Sequence, residues 1–416
     1  MNETPRGNRL HIALFGNTNV GKSSIINALT GQNISLVSSL KGTTTDPVYK
    51  AMELLPIGPV VFIDTAGIDD EGEIGKLRID KTKEVIAKTD VALLIFSYED
   101  FIIDKKLSTT SCELLYGKDL LKSLVNGNKP VVGVLNKCDL KSVDNLFIKS
   151  PQEIAKLLSK KLNIPFVTVS TTTNNGIYQL KEELIKISPK NLNNCELIGD
   201  KLFTGAKILL ITPQDIQAPK GRLILPQVQT LRDILDNGGI PIMCTLDNLD
   251  TSLELLNGKP DLVITDSQIF NIVNLKLPKD IPLTSFSILM AKNKGDLIEF
   301  YKGAKEIKNL KRGDKILIAE ACTHHKLKGD IAGEKLPSWL SKICPGIIIE
   351  NYSGKDFPTN LSEFKLVIHC GACMFNRAEV MSRLNFCKDS NVYITNFGLA
   401  IAEINGILDR VMKPLL

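Results

Sequence analysis

His11 to Gly31 reads HIALFGNTNVGKSSIINALTG, and this stretch decides the fold of the first third of the chain. The apolar run HIALF has the pattern of a strand, a glycine-bounded turn follows, and SSIINALTG carries apolar residues at helical spacing before a glycine stop. Gly16, Gly21, Lys22 and Ser23 stand at the spacing of a phosphate-binding loop, after a strand and before a helix. The physics is local. Successive backbone N–H groups and a helix N-terminus cradle phosphate oxygens, the Lys22 ammonium reaches the terminal phosphates, and the Ser23 hydroxyl is a Mg²⁺ ligand. Asn17, Asn19 and Ser24 belong to the same candidate cradle.

Three further stretches specify the nucleotide. VVFIDTAG ends an apolar strand in Asp64, whose carboxylate suits the Mg²⁺ shell, with Gly67 placed to offer its N–H to a γ-phosphate. VVGVLNKCD brings Asn136, Lys137 and Asp139 to the end of another buried strand. A carboxylate there accepts from both N1–H and the exocyclic amine of guanine, donors that adenine lacks, so GTP is expected over ATP. FVTVSTTTNNGI puts Ser170 at a further strand end, next to the guanine carbonyl. GTTTDPV, Gly42 to Val48, reads as a switch loop with Thr44 as the γ-phosphate and Mg²⁺ contact and Thr43 or Thr45 as alternatives of register.

At 416 residues, two or three domains are expected. A net charge of +5 spread over dispersed lysines gives no clustered basic face, which argues against nucleic acid as partner. No apolar run is long enough for a bilayer, and no apolar signal core precedes the first strand, so a cytoplasmic protein is expected. Nine cysteines without a secretion signal point to reduced thiols or metal ligands. The fold expected is α/β: a P-loop GTPase domain over 1–190, then two smaller α/β domains with mainly parallel sheets over 191–280 and 281–416. In the middle segment AKILLITP, IPIMCT and DLVITDSQ read as strands whose edges could pair with another copy. Lys220 and Arg222 there read as a turn sooner than as an anion site. KNKGDLIEFYKGAKEIKNL reads as one helix.

Two windows of the last segment, EACTHHKLKG from Glu320 and VIHCGACMFN from Val367, hold three of the four histidines and three of the nine cysteines. Cys322 and Cys370 fall at the ends of apolar strands of a parallel sheet, at the carboxyl edge where such sheets place ligands. MFNRAEVMSRL reads as a helix opened by the CGAC turn, which would set Cys370 and Cys373 near a positive helix N-terminus. A zinc site with His324 or His369 as fourth ligand, a CxxC redox pair and an iron–sulfur cluster are all compatible with these residues. His325 fits a supporting role, and His11 carries no metal-site signal.

The GTPase segment resembles the tRNA-modifying and ribosome-assembly branch of GTPases, with Asn19 three residues before Lys22 and Ile68 where Ras-like enzymes carry a water-positioning Gln. That resemblance implies slow hydrolysis stimulated by K⁺ held partly by Asn19, with Lys22 and Thr44 also acting on the reaction. CTHH…HCGAC, with 44 residues between His324 and His369, together with PKGRLILPQVQTLRDILD, resembles the HydF family of [FeFe]-hydrogenase maturases. The resemblance spans the chain and implies GTPase, dimerisation and cluster domains. It also implies a [4Fe-4S] cluster on Cys322, Cys370 and Cys373, with His324 and His369 each a candidate to ligate it, to tune it or to hydrogen-bond beside it. The family acts as scaffold or carrier, receiving a diiron precursor made with two radical-SAM maturases and delivering it to apo-hydrogenase, as a homodimer or larger assembly. The competing reading is an RNA-modifying or ribosome-associated GTPase with a structural zinc domain.

Overall fold

The computed structural model describes residues 5–31, 47–65, 73–103, 124, 129–140, 150–189, 196–212, 223–321, 330–354 and 357–416, with backbone only at 73–80 and 102–103. Its contacts divide the chain into two compact units, Met1–Leu192 and Asn193–Leu416.

In the first unit, six strands form one sheet: β1 (Leu10–Phe15), β2 (Val48–Leu54), β3 (Gly58–Asp64), β4 (Val91–Ser97), β5 (Val131–Asn136) and β6 (Phe166–Thr168), in the order β2-β3-β1-β4-β5-β6. Every pairing is parallel except β2 with β3. Helices α1 (Lys22–Thr30), α2 (Glu73–Lys88), α3 (Glu99–Ile103), α4 (Pro151–Leu162) and α5 (Ile177–Ile187) accompany it. The unbroken apolar run of β1 has a direct cause: Ile12 and Leu14 enter one core with Ile25 and Leu180, while Ala13 and Phe15 enter a second with Val85 and Ile154. A strand buried on both faces has no place for polar alternation.

The second unit holds two four-stranded parallel sheets. One contains β7 (Lys207–Ile211), β8 (Ile240–Cys244), β9 (Leu262–Thr265) and β10 (Leu283–Ser285) in the order β10-β9-β7-β8. The other contains β11 (Lys315–Glu320), β12 (Ile348–Ser353), β13 (Phe364–His369) and β14 (Tyr393–Asn396) in the order β12-β11-β13-β14. The helices are α6 (Leu225–Asp236), α7 (Leu249–Leu255), α8 (Phe270–Lys276), α9 (Phe286–Lys294), α10 (Leu297–Lys305), α11 (Leu336–Ile343), α12 (Arg377–Asp389), α13 (Phe397–Ile404) and α14 (Leu408–Met412). One continuous apolar core runs from Leu197 to Leu415 and draws on both sheets. Helix α9 packs on α6 and β10 and also on α12, α13 and β14. It therefore belongs to both layers.

Three local features differ from the sequence reading. Strand β10 lies beyond residue 280 yet pairs with β9, so the segment that follows the expected boundary completes the middle sheet. The stretch read as one helix is two, α9 and α10. Gly295 is extended between them, and Asp296 starts the second by accepting the amides of Ile298 at 3.1 Å and Glu299 at 3.2 Å. A Cβ at Gly295 would stand 2.2 Å from the Phe300 ring, so the break is closed to other residues. Finally, α12 begins at Arg377, capped by Asn376 accepting from Glu379 N–H at 3.1 Å. Cys370 and Cys373 thus sit on a turn ahead of the helix.

Candidate functional site

The phosphate loop leaves β1 beside β4, at the point where the strand order reverses, and runs into α1. A Cβ at Gly16 would lie 2.7 Å from the Ile95 carbonyl oxygen on β4. Gly21 has φ +94°, and its Cβ would meet Asn136 Nδ2 at 2.3 Å. Both glycines are therefore required by close backbone approach and, at Gly21, by the left-handed conformation. Asn19 is also left-handed, with φ 61°, and exposed. The Lys22 ammonium donates to the carbonyls of Gly16 at 2.8 Å and Asn17 at 2.7 Å. Ser23 Oγ donates to Asp64 Oδ2 at 2.5 Å, joining the loop to the end of β3. Burial pushes the Asp64 carboxyl above its usual range, opposed by that hydrogen bond and by Lys22. A hydroxyl and a desolvated carboxylate in contact are a donor pair that fits Mg²⁺ with a phosphate opposite. Asn17 Oδ1 is buried with no hydrogen-bond partner among the described residues. Ser24 is half-buried in the first turn of α1.

The residues expected to read the base lie at or after the carboxyl ends of β5 and β6. Asn136 is buried and donates through Nδ2 to the Val20 carbonyl at 2.9 Å, which ties this strand end to the phosphate loop. Lys137 is left-handed and pairs with Glu99 at 3.0 Å, and Asp139 is exposed. At Ser170 the amide donates to Asn175 O at 2.9 Å, and Oγ accepts from the Thr173 amide at 3.1 Å. Ser170 shapes the loop, and its own N–H is already engaged. Thr43, Thr44, Thr45, Gly67 and Ile68 lie outside the described residues.

The thiol turn mirrors this placement. In the order β12-β11-β13-β14 the strand sequence reverses between β11 and β13. Cys370 follows β13 directly, and its amide donates to Ala319 O on β11 at 2.9 Å. Its Sγ accepts the amides of Ala321 at 3.0 Å and Ala372 at 3.4 Å. Burial pushes this thiol up to about 11 despite the two amides, so the free group stays protonated at neutral pH. A soft cation is what would hold it as thiolate. The turn passes through Ala372 in the left-handed region (φ 52°) to half-buried Cys373. Two thiols on one turn, with amides aimed at sulfur, fit the donor set of an iron–sulfur or zinc centre. Ala321, bonded to the Cys370 sulfur, immediately precedes Cys322. Cys322, His324 and His325 lie outside the described residues, as do Lys220 and Arg222. Among the described residues no three His, Cys, Asp or Glu side chains converge as a metal site.

His369 takes the hydrogen-bonding one of the roles open to it. It is 2% exposed, with Arg383 Nη1 3.0 Å from its Nε2 and the Cys370 carbonyl oxygen 2.9 Å from its Nδ1. Arginine only donates, so Nε2 accepts and Nδ1 carries the hydrogen given to the carbonyl. Both ring nitrogens are engaged. Burial and the Arg383 charge lower its pKa to about 3, which keeps the ring neutral. Lys294 and Arg383, which contact this turn through its carbonyls and His369, have no motif to mark them in the sequence.

A phosphate loop at the switch point of a mainly parallel sheet, with Asp64 ending β3 and Asn136 ending β5, defines a GTPase domain, here followed by an α/β unit that presents paired thiols. Residues 11–137 match the model of the 50S ribosome-binding GTPases. The hydrogen maturase F dimerization domain matches residues 197–295 and the hydrogen maturase F tetramerization domain residues 298–414. These two cover more than half of the chain, which belongs to the hydrogen maturase F (HydF) family. GTPase Der of Wolinella succinogenes is 34% identical over 43% of this chain and 36% of its own length. The tRNA modification GTPase MnmE of Endomicrobium trichonymphae is 33% identical over 43% and 35%. The chain thus spans about a third of the length of these relatives. The G domain of the T. maritima FeoB iron transporter shares 24% identity over 44% of this chain and 99% of that one, with a TM-score of 0.31. No helix among the described residues is long and apolar enough to cross a membrane.

Proposed function

We propose that this chain is a GTP-hydrolysing scaffold that holds a [4Fe-4S] cluster on Cys322, Cys370 and Cys373 and carries a diiron precursor to apo-[FeFe]-hydrogenase. The observation that carries the reading is the Cys370 sulfur, which accepts two main-chain amides at a sheet switch point, next to the residue that leads into Cys322. N–H···S bonds of this kind stabilise negative sulfur. When bound, the cluster supplies an iron site for the incoming precursor, with the three thiols leaving one corner for another ligand. The radical-SAM maturases that make the precursor and the apo-hydrogenase are the partners of this cycle.

In the first unit, Lys22 leaves its two carbonyls for the terminal phosphates, and Ser23 and Asp64 hold Mg²⁺ together with Thr44. Gly67 contacts the γ-phosphate, Asp139 and Asn136 read guanine with Lys137 beside them, and a main-chain amide following Ser170 completes the base contact. Asn19 helps hold K⁺, which takes the charge-neutralising part an arginine plays elsewhere, so turnover is slow and higher in K⁺ than in Na⁺. The dimerization and tetramerization domains assemble copies through the second unit. The test loads the chain anaerobically with precursor and follows activation of apo-hydrogenase with GTP or GDP, in K⁺ or Na⁺. Activation that depends on the loaded chain and changes with nucleotide supports the reading. Activation independent of the chain, equal GTP turnover of the parent in both salts, or an Asn19→Ala variant that keeps the K⁺ response contradicts it.

A further inference from the structure

Lys294 ends α9 and lies outside both the nucleotide residues and the thiols. Its side chain is 2% exposed, and its ammonium donates to the carbonyls of Ala372 at 3.0 Å, Cys373 at 3.1 Å and Phe375 at 2.6 Å. Three acceptors use all three ammonium hydrogens, a number that only the protonated amine possesses. A full positive charge is thus buried against the thiol turn, a costly arrangement for closing a loop that neutral donors could close. A second cation is tied to the same turn. Arg383, with Phe357 and Phe375 each 4.6 Å from its guanidinium carbon, reaches the Cys370 carbonyl through His369.

A trans peptide carries its C=O and N–H on opposite sides. With the carbonyls of Ala372 and Cys373 drawn onto the Lys294 ammonium, the amides of Cys373 and Met374 face away from it. The ammonium is thus a fixed cation on the carbonyl side of the turn.

We propose that Lys294 is the positioning and charge-setting residue of the thiol turn: its buried ammonium fixes the main chain in the ligating conformation and raises the reduction potential of the cluster held there. The inference rests on the cluster reading above. Reduction adds an electron to an already anionic site, and a nearby desolvated cation favours the reduced form.

The test compares the full-length parent, Lys294→Met and Lys294→Arg, each reconstituted anaerobically with iron and sulfide and titrated electrochemically under EPR. The Met variant is expected to show at least a tenfold smaller reduced-to-oxidised ratio at a given potential, a midpoint lower by about 59 mV for one electron. The Arg variant should stay closer to the parent than to Met. An unchanged midpoint in Lys294→Met overturns the charge role. In the cluster-free chain, hydrogen exchange across 370–376 should rise at least tenfold in Lys294→Met, and unchanged exchange overturns the positioning role. If Trp339 emission shows that the Met variant does not fold, Lys294→Gln, which keeps two donors without the charge, replaces it with the same two criteria. A parent that takes up no iron defeats the cluster reading, and the exchange comparison then judges Lys294 by itself.

Discussion

The phosphate loop and the thiol turn solve the same problem with opposite lysines. Each follows a parallel strand at a reversal of strand order, each passes through left-handed backbone, and each has an ammonium on its main-chain carbonyls. Lys22 belongs to the loop it serves and makes two such bonds, both replaceable by phosphate oxygens. Lys294 comes from a helix 78 to 81 residues away in sequence and makes three, behind the turn. In the proposed reading the first lysine is a contact for a ligand that comes and goes, and the second is part of a frame for one that stays.

The comparison breaks first at sulfur. Cys370→Ser is expected to lower iron retention after anaerobic reconstitution by more than tenfold, measured as iron per chain, because a neutral hydroxyl replaces the soft anionic donor. Retention equal to the parent would remove the turn from the site. On the nucleotide side, Gly21→Ala adds a Cβ 2.3 Å from Asn136 Nδ2 at φ +94°. Strain and overlap together predict a several-hundredfold loss of GTP affinity, ~3.5 kcal/mol, in a fluorescent-nucleotide titration.

A smaller effect is read through pH at β1. Burial lowers His11 from 6.5 to about 4, with the hydrogen bond between Nδ1 and the Arg9 carbonyl, 2.9 Å long, working against it and the Arg6 and Lys88 charges adding to it. Below pH 6.5 the unfolded chain binds a proton that the folded strand does not. Stability is therefore complete above about 6.5 and falls as pH drops toward 4, by up to about 3 kcal/mol. Hydrogen exchange of residues 10–15 should accelerate across that window, and His11→Asn should flatten the response. The smallest effect is at Ala372. Its left-handed φ of 52° costs an alanine about 1 kcal/mol, so Ala372→Gly should raise the stability of the second unit by up to that amount. The emission of Trp339, the sole tryptophan, reports it.

Much of this was legible in the sequence, for physical reasons. HIALF is apolar throughout because both faces of β1 are buried, and GNTNVGKS is legible because phosphate geometry dictates where glycine, lysine and serine must stand. The thiols were located because apolar strand runs end beside them. What escaped depends on tertiary distance. Nothing local in KNKGD marks Lys294, since its acceptors are main-chain carbonyls in another segment, and the same stretch conceals the helix break that Gly295 and Asp296 impose. For His369 the sequence leaves ligand and hydrogen-bonding roles open, and Arg383, fourteen residues further on, is the partner that makes it a hydrogen-bond bridge. Strand β10 has three residues, two of them hydroxylated, too short a pattern for periodicity to register.

The most direct test of the central claim is metal and sulfide analysis of the anaerobically purified chain, read with its absorbance. The account predicts brown protein with about four iron and four sulfide per chain, lost in Cys370→Ser. Colourless protein with about one zinc per chain and no acid-labile sulfide would contradict it.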